Sequence, residues 1–151
     1  MNAGQVKAAV ATLGLPAGHW AVHASAVLVL YGLIDAAGDV DVVARGPAWD
    51  RATDLGTPKR GKEDLCVSLP GLNVEVWSGW MGEDVDALID GAVEVAGVPC
   101  VDLRAVLRFK ETAGRPKDAA HLAVLRRHLE AEGRSRSSER SAGRRQRPKR
   151  R

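Results

Sequence analysis

Asp39 and Asp41, separated by a single valine, are the residues of this chain whose types and spacing most clearly suit chemistry. Alternate side chains of a β-strand leave the same face, so a strand here aims both carboxylates one way and sends Val40 and Val42 into a core. Two such charges held roughly 6 to 7 Å apart repel by roughly 2 to 3 kcal/mol at an effective dielectric near 20. Thr or Lys at either position would avoid that cost, and a bound divalent cation removes it. Mg²⁺ or Mn²⁺ takes oxygen ligands and keeps positions open for substrate phosphates, which makes a carboxylate pair on a rigid strand suitable for phosphoryl or nucleotidyl transfer. A solvated strand face can carry the same two residues, and the surrounding sequence has to decide.

The elements that would position the pair can be read from hydrophobic period and from helix stop signals. Residues 2–13 predict an amphipathic helix with Val6, Val10 and Leu13 on one face, stopped by Gly14 and Pro16. A short apolar stretch over 19–24 precedes a helix over 25–33 that is apolar on nearly every side and is therefore buried. Gly38 introduces the β-branched strand 39–44, and Pro47 sits at the first turn of a short helix over 49–55. A polar loop with Lys59, Arg60 and Lys62 leads to strands over 65–69 and 72–77, joined at Pro70-Gly71. One or two helical turns follow over 84–89, then a β-segment over 92–101 bent at Pro99. Asp102 is a good N-cap for a helix that ends near Gly114, and Pro116 opens another running through Leu122, Leu125 and Leu129 to Gly133. The whole predicts an α/β (α+β) fold with a mixed sheet flanked by helices and no internal repeat.

Charge divides the chain in two. Nine of the 22 basic residues and one of the 19 acidic ones fall after residue 132, which leaves 13 basic and 18 acidic groups before it. A folded domain over 1–132 is thus acidic and has no general electrostatic attraction to nucleic acid, whereas the tail over 133–151 does. That tail has no aliphatic residue larger than alanine and no aromatic one, and is expected to be disordered. No stretch reaches the ~18 uninterrupted apolar residues of a spanning helix, and a soluble cytoplasmic protein with no membrane partner is expected. Cys66 and Cys100 lie far apart without metal-ligand or CxxC spacing and are expected to be buried thiols. No Walker loop, zinc spacing or complete Ser-His-Asp arrangement is present to anchor a P-loop, zinc-enzyme or hydrolase reading.

Around the aspartates the chain reads WAVHASAVLVLYGLIDAAGDVDVVA over 20–44, and here it resembles the nucleotidyltransferase superfamily. Members of that family carry a small residue and a serine at a turn that opens a helix, followed by an Asp-hydrophobic-Asp/Glu strand. Ala24 and Ser25 match the turn, and Ser25 stands fourteen positions before Asp39. The resemblance gives Ser25 the role of holding nucleotide phosphates at a helix N-terminus. It also implies a third carboxylate on a later strand, for which Glu75 in LNVEVW is the match, as base or metal ligand. The segment VPCVDLRAVLRFKETAGRPKDAAHLAVL is similar to the end of the minimal nucleotidyltransferases of the AbiEii toxin group and of antibiotic-modifying relatives, and places Lys110, Arg115, Lys117 and Asp118 at that family's charged positions. Lys110 and Lys117 would then neutralise triphosphate charge.

The resemblance covers roughly residues 20–129 and departs from the family at Ala24, where glycine is usual. A Cβ there restricts φ and the approach of phosphate. The leading expectation is transfer of a nucleoside monophosphate from a nucleoside triphosphate to a hydroxyl, with Mg²⁺ or Mn²⁺ on Asp39, Asp41 and Glu75. Acceptors implied are tRNA, to which the basic tail would add salt-dependent attraction, or a small molecule such as an antibiotic. A toxin-type protein would also have a cognate antitoxin. The alternative is a catalytically inactive binding or antitoxin-like module that uses its basic tail. Trp77 and Trp80, near Glu75, are candidates to stack on a base, with core packing as the default; His23 reads as structural, and His121 suggests nothing.

Overall fold

The computed structural model describes residues 1–145. Among them, α1 (Ala3–Leu13) begins at Asn2, whose side chain accepts from the Gln5 amide while the Gln5 side chain accepts from the Asn2 amide. This reciprocal cap satisfies two amides the helix leaves unpaired, and Gly14 closes the other end at a left-handed φ of 59°. β1 (Trp20–His23) follows, then α2 (Ser25–Leu30), whose residues from Ala26 on are all buried, as an apolar surface on every side requires. Next are β2 (Val40–Ala44), α3 (Gly46–Leu55), the two-residue β3 (Lys59–Arg60), β4 (Leu65–Leu69), β5 (Val74–Trp77) and α4 (Val85–Asp90). β6 (Val93–Val95), β7 (Val98–Cys100), α5 (Leu103–Ala113), a 3-10 turn at Pro116–Asp118 and α6 (Ala119–Arg145) complete the described chain.

The seven strands make one mixed sheet in the order β3-β4-β5-β2-β1-β7-β6. β2 lies at its centre, antiparallel to β1 and parallel to β5. The predicted mixed α/β architecture is therefore the one observed. Val40, Val42, Val74 and Val76 are at most 1% exposed, while Asp41 and Glu75 between them are not buried, so the central strands alternate as their sequences require. α2 packs on β1 and β2, α3 on β4 and β5, and α6 on α5 and α2. Cys66 and Cys100 are buried free thiols, and burial pushes Cys100 up to about 12. No helix among the described residues is long and apolar enough to cross a membrane.

Three expectations need correction. The segment over 92–101 is not one strand bent at Pro99 but a hairpin, in which Val95 pairs with Val98 around Ala96 and Gly97, both at positive φ. Pro99 sits inside β7, opposite Glu94. The turn between β4 and β5 has four residues, with Asn73 at a φ of 52° completing it, so β5 starts two residues later than predicted. Finally, Gly133 does not end the chain's order: α6 passes through it to Arg145, and residues 146–151 lie outside the described part. A glycine inside a helix costs only about 1 kcal/mol, too little to stop one already anchored by its packing on α5. The tail's lack of apolar residues shows instead in its exposure, since every residue from Gly133 to Arg144 is exposed.

Candidate functional site

β2 and β5 run parallel in a register that places Asp41 beside Glu75. Asp39 precedes β2 on the same side, and a ligand oxygen from each of Asp39, Asp41 and Glu75 lies within 4.8 Å of the others. Asp39 is exposed and the other two are partly buried. Burial, then the neighbouring Asp39, pushes the Asp41 carboxyl up to about 7, against a hydrogen bond from Trp77 Nε1 at 3.1 Å that acts to lower it. Burial and Asp39 raise Glu75 as well. The three groups therefore resist ionising together, and no cation among the described residues is bonded to them. Hard oxygen donors converging at this spacing fit a divalent cation of the Mg²⁺ or Mn²⁺ kind.

These carboxylates open into a cleft of about 1240 Å³. Its other wall is made by Ala24 and Ser25 at the start of α2, by Arg115, Lys117 and Asp118 around the 3-10 turn, and by His121 in the first turn of α6. The α5–α6 connection brings this wall up to the sheet because Gly114 takes a φ of 57° at the end of α5 and Pro116 fixes the next turn. Arg115 Nε donates to Asp118 Oδ2 at 2.7 Å, and Arg115 also lies over the Phe109 ring, 5.3 Å from its centroid. Carboxylates from the sheet and the cations Arg115 and Lys117 from the helix connection thus line one cleft.

Lys110 differs from its expected place. It is 0% exposed and lies behind the wall, with Nζ donating to Ser25 Oγ and to Asp118 Oδ1, both at 2.9 Å. Burial lowers its pKa and the Asp118 carboxylate opposes that; burial would raise Asp118, but Lys110 and Arg115 together take it below the usual carboxylate range. A direct contact between Lys110 and a triphosphate is replaced by a buried ion pair that holds Ser25. His121, which the sequence did not single out, completes the cluster: its Nδ1 is 3.4 Å from Lys110 Nζ and 3.5 Å from Ser25 Oγ.

Ala24 occupies a φ of 58° and ψ of −140°, a conformation glycine adopts far more readily. Its amide donates to Nδ1 of His23 at 2.6 Å. His23 is fully buried, stacked on Trp80 with ring centroids 4.4 Å apart, and burial lowers its pKa; it braces the turn and does not reach the cleft. With six residues, α2 offers only a short dipole, so the side chains around Ser25 carry more of any anion binding than the helix end does. Trp77 and Trp80 both line the cleft; Trp80 is 6% exposed and packs mainly on His23 and Phe109, whereas Trp77 meets Asp41.

No protein-family model, curated protein or solved structure matches this chain.

Proposed function

We propose that the chain is a metal-dependent nucleotidyltransferase that moves a nucleoside monophosphate from a nucleoside triphosphate to a hydroxyl. The observation that carries this reading is one cleft with three convergent carboxylates on one side and Ser25, Arg115 and Lys117 on the other. A substrate that has a metal-bound polyphosphate satisfies both sides at once. Asp39, Asp41 and Glu75 would hold the cation, which when bound would neutralise charge at the phosphoryl group under attack. Ser25, Arg115 and Lys117 bind the remaining phosphate oxygens and orient the donor. Trp77 fixes the Asp41 carboxylate through its indole N–H. Glu75, whose pKa is raised by burial and by Asp39, is suited to take the proton of the acceptor hydroxyl. The exposed arginines of α6 would add salt-dependent attraction for an RNA acceptor held through α6, whereas the acidic body by itself would suit a small cationic one.

A second reading keeps the fold without turnover and makes the protein a binding or antitoxin-like module. It rests on Ala24, because the turn that would face phosphate carries a Cβ and spends its amide on His23. Incubation with Mg²⁺, each labelled nucleoside triphosphate, and either total RNA or small polyhydroxyl acceptors separates the two. Label transferred by the wild type and lost in Asp39→Ala supports the enzyme. Absence of labelling across all nucleotides and acceptors sinks it and leaves the binding module.

A further inference from the structure

We propose that His121 is a donor to bound phosphate oxygens, and that buried Lys110 fixes its ring in the Nε2–H tautomer so that His121 and Ser25 both present hydrogens to a polyphosphate. The proposal deepens the transferase reading at its donor side, but it concerns anion binding alone and stands or falls without any transfer step.

An ammonium has three hydrogens and no lone pair, so each of its polar neighbours must accept. Lys110 Nζ faces Ser25 Oγ and Asp118 Oδ1 at 2.9 Å and His121 Nδ1 at 3.4 Å. With Lys110 charged and donating, Nδ1 is assigned as the bare, accepting nitrogen. The rival arrangement, an Nδ1–H donated to Asp118, needs an oxygen 3.8 Å away that Lys110 already occupies. Burial and the charge of Lys110 both act against protonation of the ring, with Asp118 opposing them. A neutral ring with Nδ1 bare carries its hydrogen on Nε2, across the ring from Lys110, and the residue lines the cleft.

The same ammonium orients Ser25. Because Oγ accepts from Lys110, its own hydrogen has, among the described residues, only the 3.5 Å contact with Nδ1 as a resting place, which an anionic oxygen in the cleft outcompetes. Asp118, the one acid in this wall, has one oxygen on Lys110 and the other on Arg115, so its charge is matched before an anion arrives. Two neutral donors, Ser25 and His121, thus stand beside the cations Arg115 and Lys117, which is suitable recognition for a di- or triphosphate chain.

The test is inorganic triphosphate titrated into the full chain in the presence of a chelator, with the ring nitrogens of histidine followed by long-range ¹H–¹⁵N correlation. The wild type is expected to show His121 as Nε2–H without ligand and to shift Nε2 on binding while Nδ1 stays bare. His121→Ala is expected to weaken triphosphate about tenfold or more, and His121→Gln, which keeps an N–H donor, to recover part of that. An Nδ1–H or doubly protonated ring at pH 7.5, no saturable binding, or unchanged affinity in His121→Ala each overturns the proposal. Intact triphosphate binding with no nucleotide transfer refutes the transferase reading and leaves this one standing.

Discussion

The two walls of the cleft handle charge in opposite ways. On the sheet side, Asp39, Asp41 and Glu75 crowd together with no bonded cation among the described residues; on the helix side, Asp118 is matched by both Lys110 and Arg115. The fold pairs one buried carboxylate twice and leaves three others to repel each other, and under the proposed function that contrast is the argument for an external cation on the sheet side. The largest effect should come from the unmatched side. Asp39→Ala or Asp41→Ala is expected to reduce nucleotide transfer on the order of 10²–10³-fold and to abolish any thermal shift from Mg²⁺ or Mn²⁺. Transfer kinetics and melting curves check this together, and a variant that keeps the metal shift would break the comparison.

The matched side should fail through stability. Lys110→Met leaves Asp118 buried with Arg115 alone and is expected to cost about 3 kcal/mol in urea unfolding, while the double change Lys110→Met with Asp118→Leu recovers much of it. A lysine that made only a ligand contact would cost little when removed.

A pH series sharpens the comparison further. Asp41 is raised from 3.8 to about 7, so the stability from its protonated form is complete below about pH 4 and is lost as pH rises through 7. Without metal the melting temperature should fall over that interval. Added Mn²⁺ should restore on the order of 5 °C at pH 8 and little at pH 5. A metal shift equal at both values would place the ion away from Asp41.

Ala24→Gly should have a smaller effect, stabilising by about 1 kcal/mol by releasing the positive φ, with transfer rising and not falling. The smallest effect is expected from truncation after Glu132: residues Gly133 to Arg144 are exposed, so the melting temperature should stay within a degree, while RNA affinity and its salt slope fall. Unchanged RNA binding would remove α6 from the interface.

Legibility in the sequence followed the range of the interaction. The Asp39–Asp41 alternation, Glu75 flanked by valines, the cap at Asp102 and the stop at Gly114 are local patterns, and each stands as predicted. The β6–β7 hairpin escaped because a two-residue turn with both φ values positive usually declares itself with Asn-Gly, and Ala96-Gly97 does not. The burial of Lys110 is not legible in the sequence, because nothing local shows that the chain after Gly114 folds back to place Asp118, eight residues on, against it. The one signal for His121 was its place three residues after Asp118, on the same face of a helical turn.

The parallel pairing of β2 with β5 has a consequence for how this chain can vary. The carboxylate cluster exists at a single setting of that ladder, in which Asp41 faces Glu75; moving β5 by one residue would bring Val74 or Val76 to the cleft and turn Glu75 into the core. Residues gained or lost in the exposed connections can be absorbed there, whereas one residue gained or lost inside β5 erases the site and the core together. Length changes across descendants of this sequence should therefore collect outside β2 and β5, even where the residues between them drift freely.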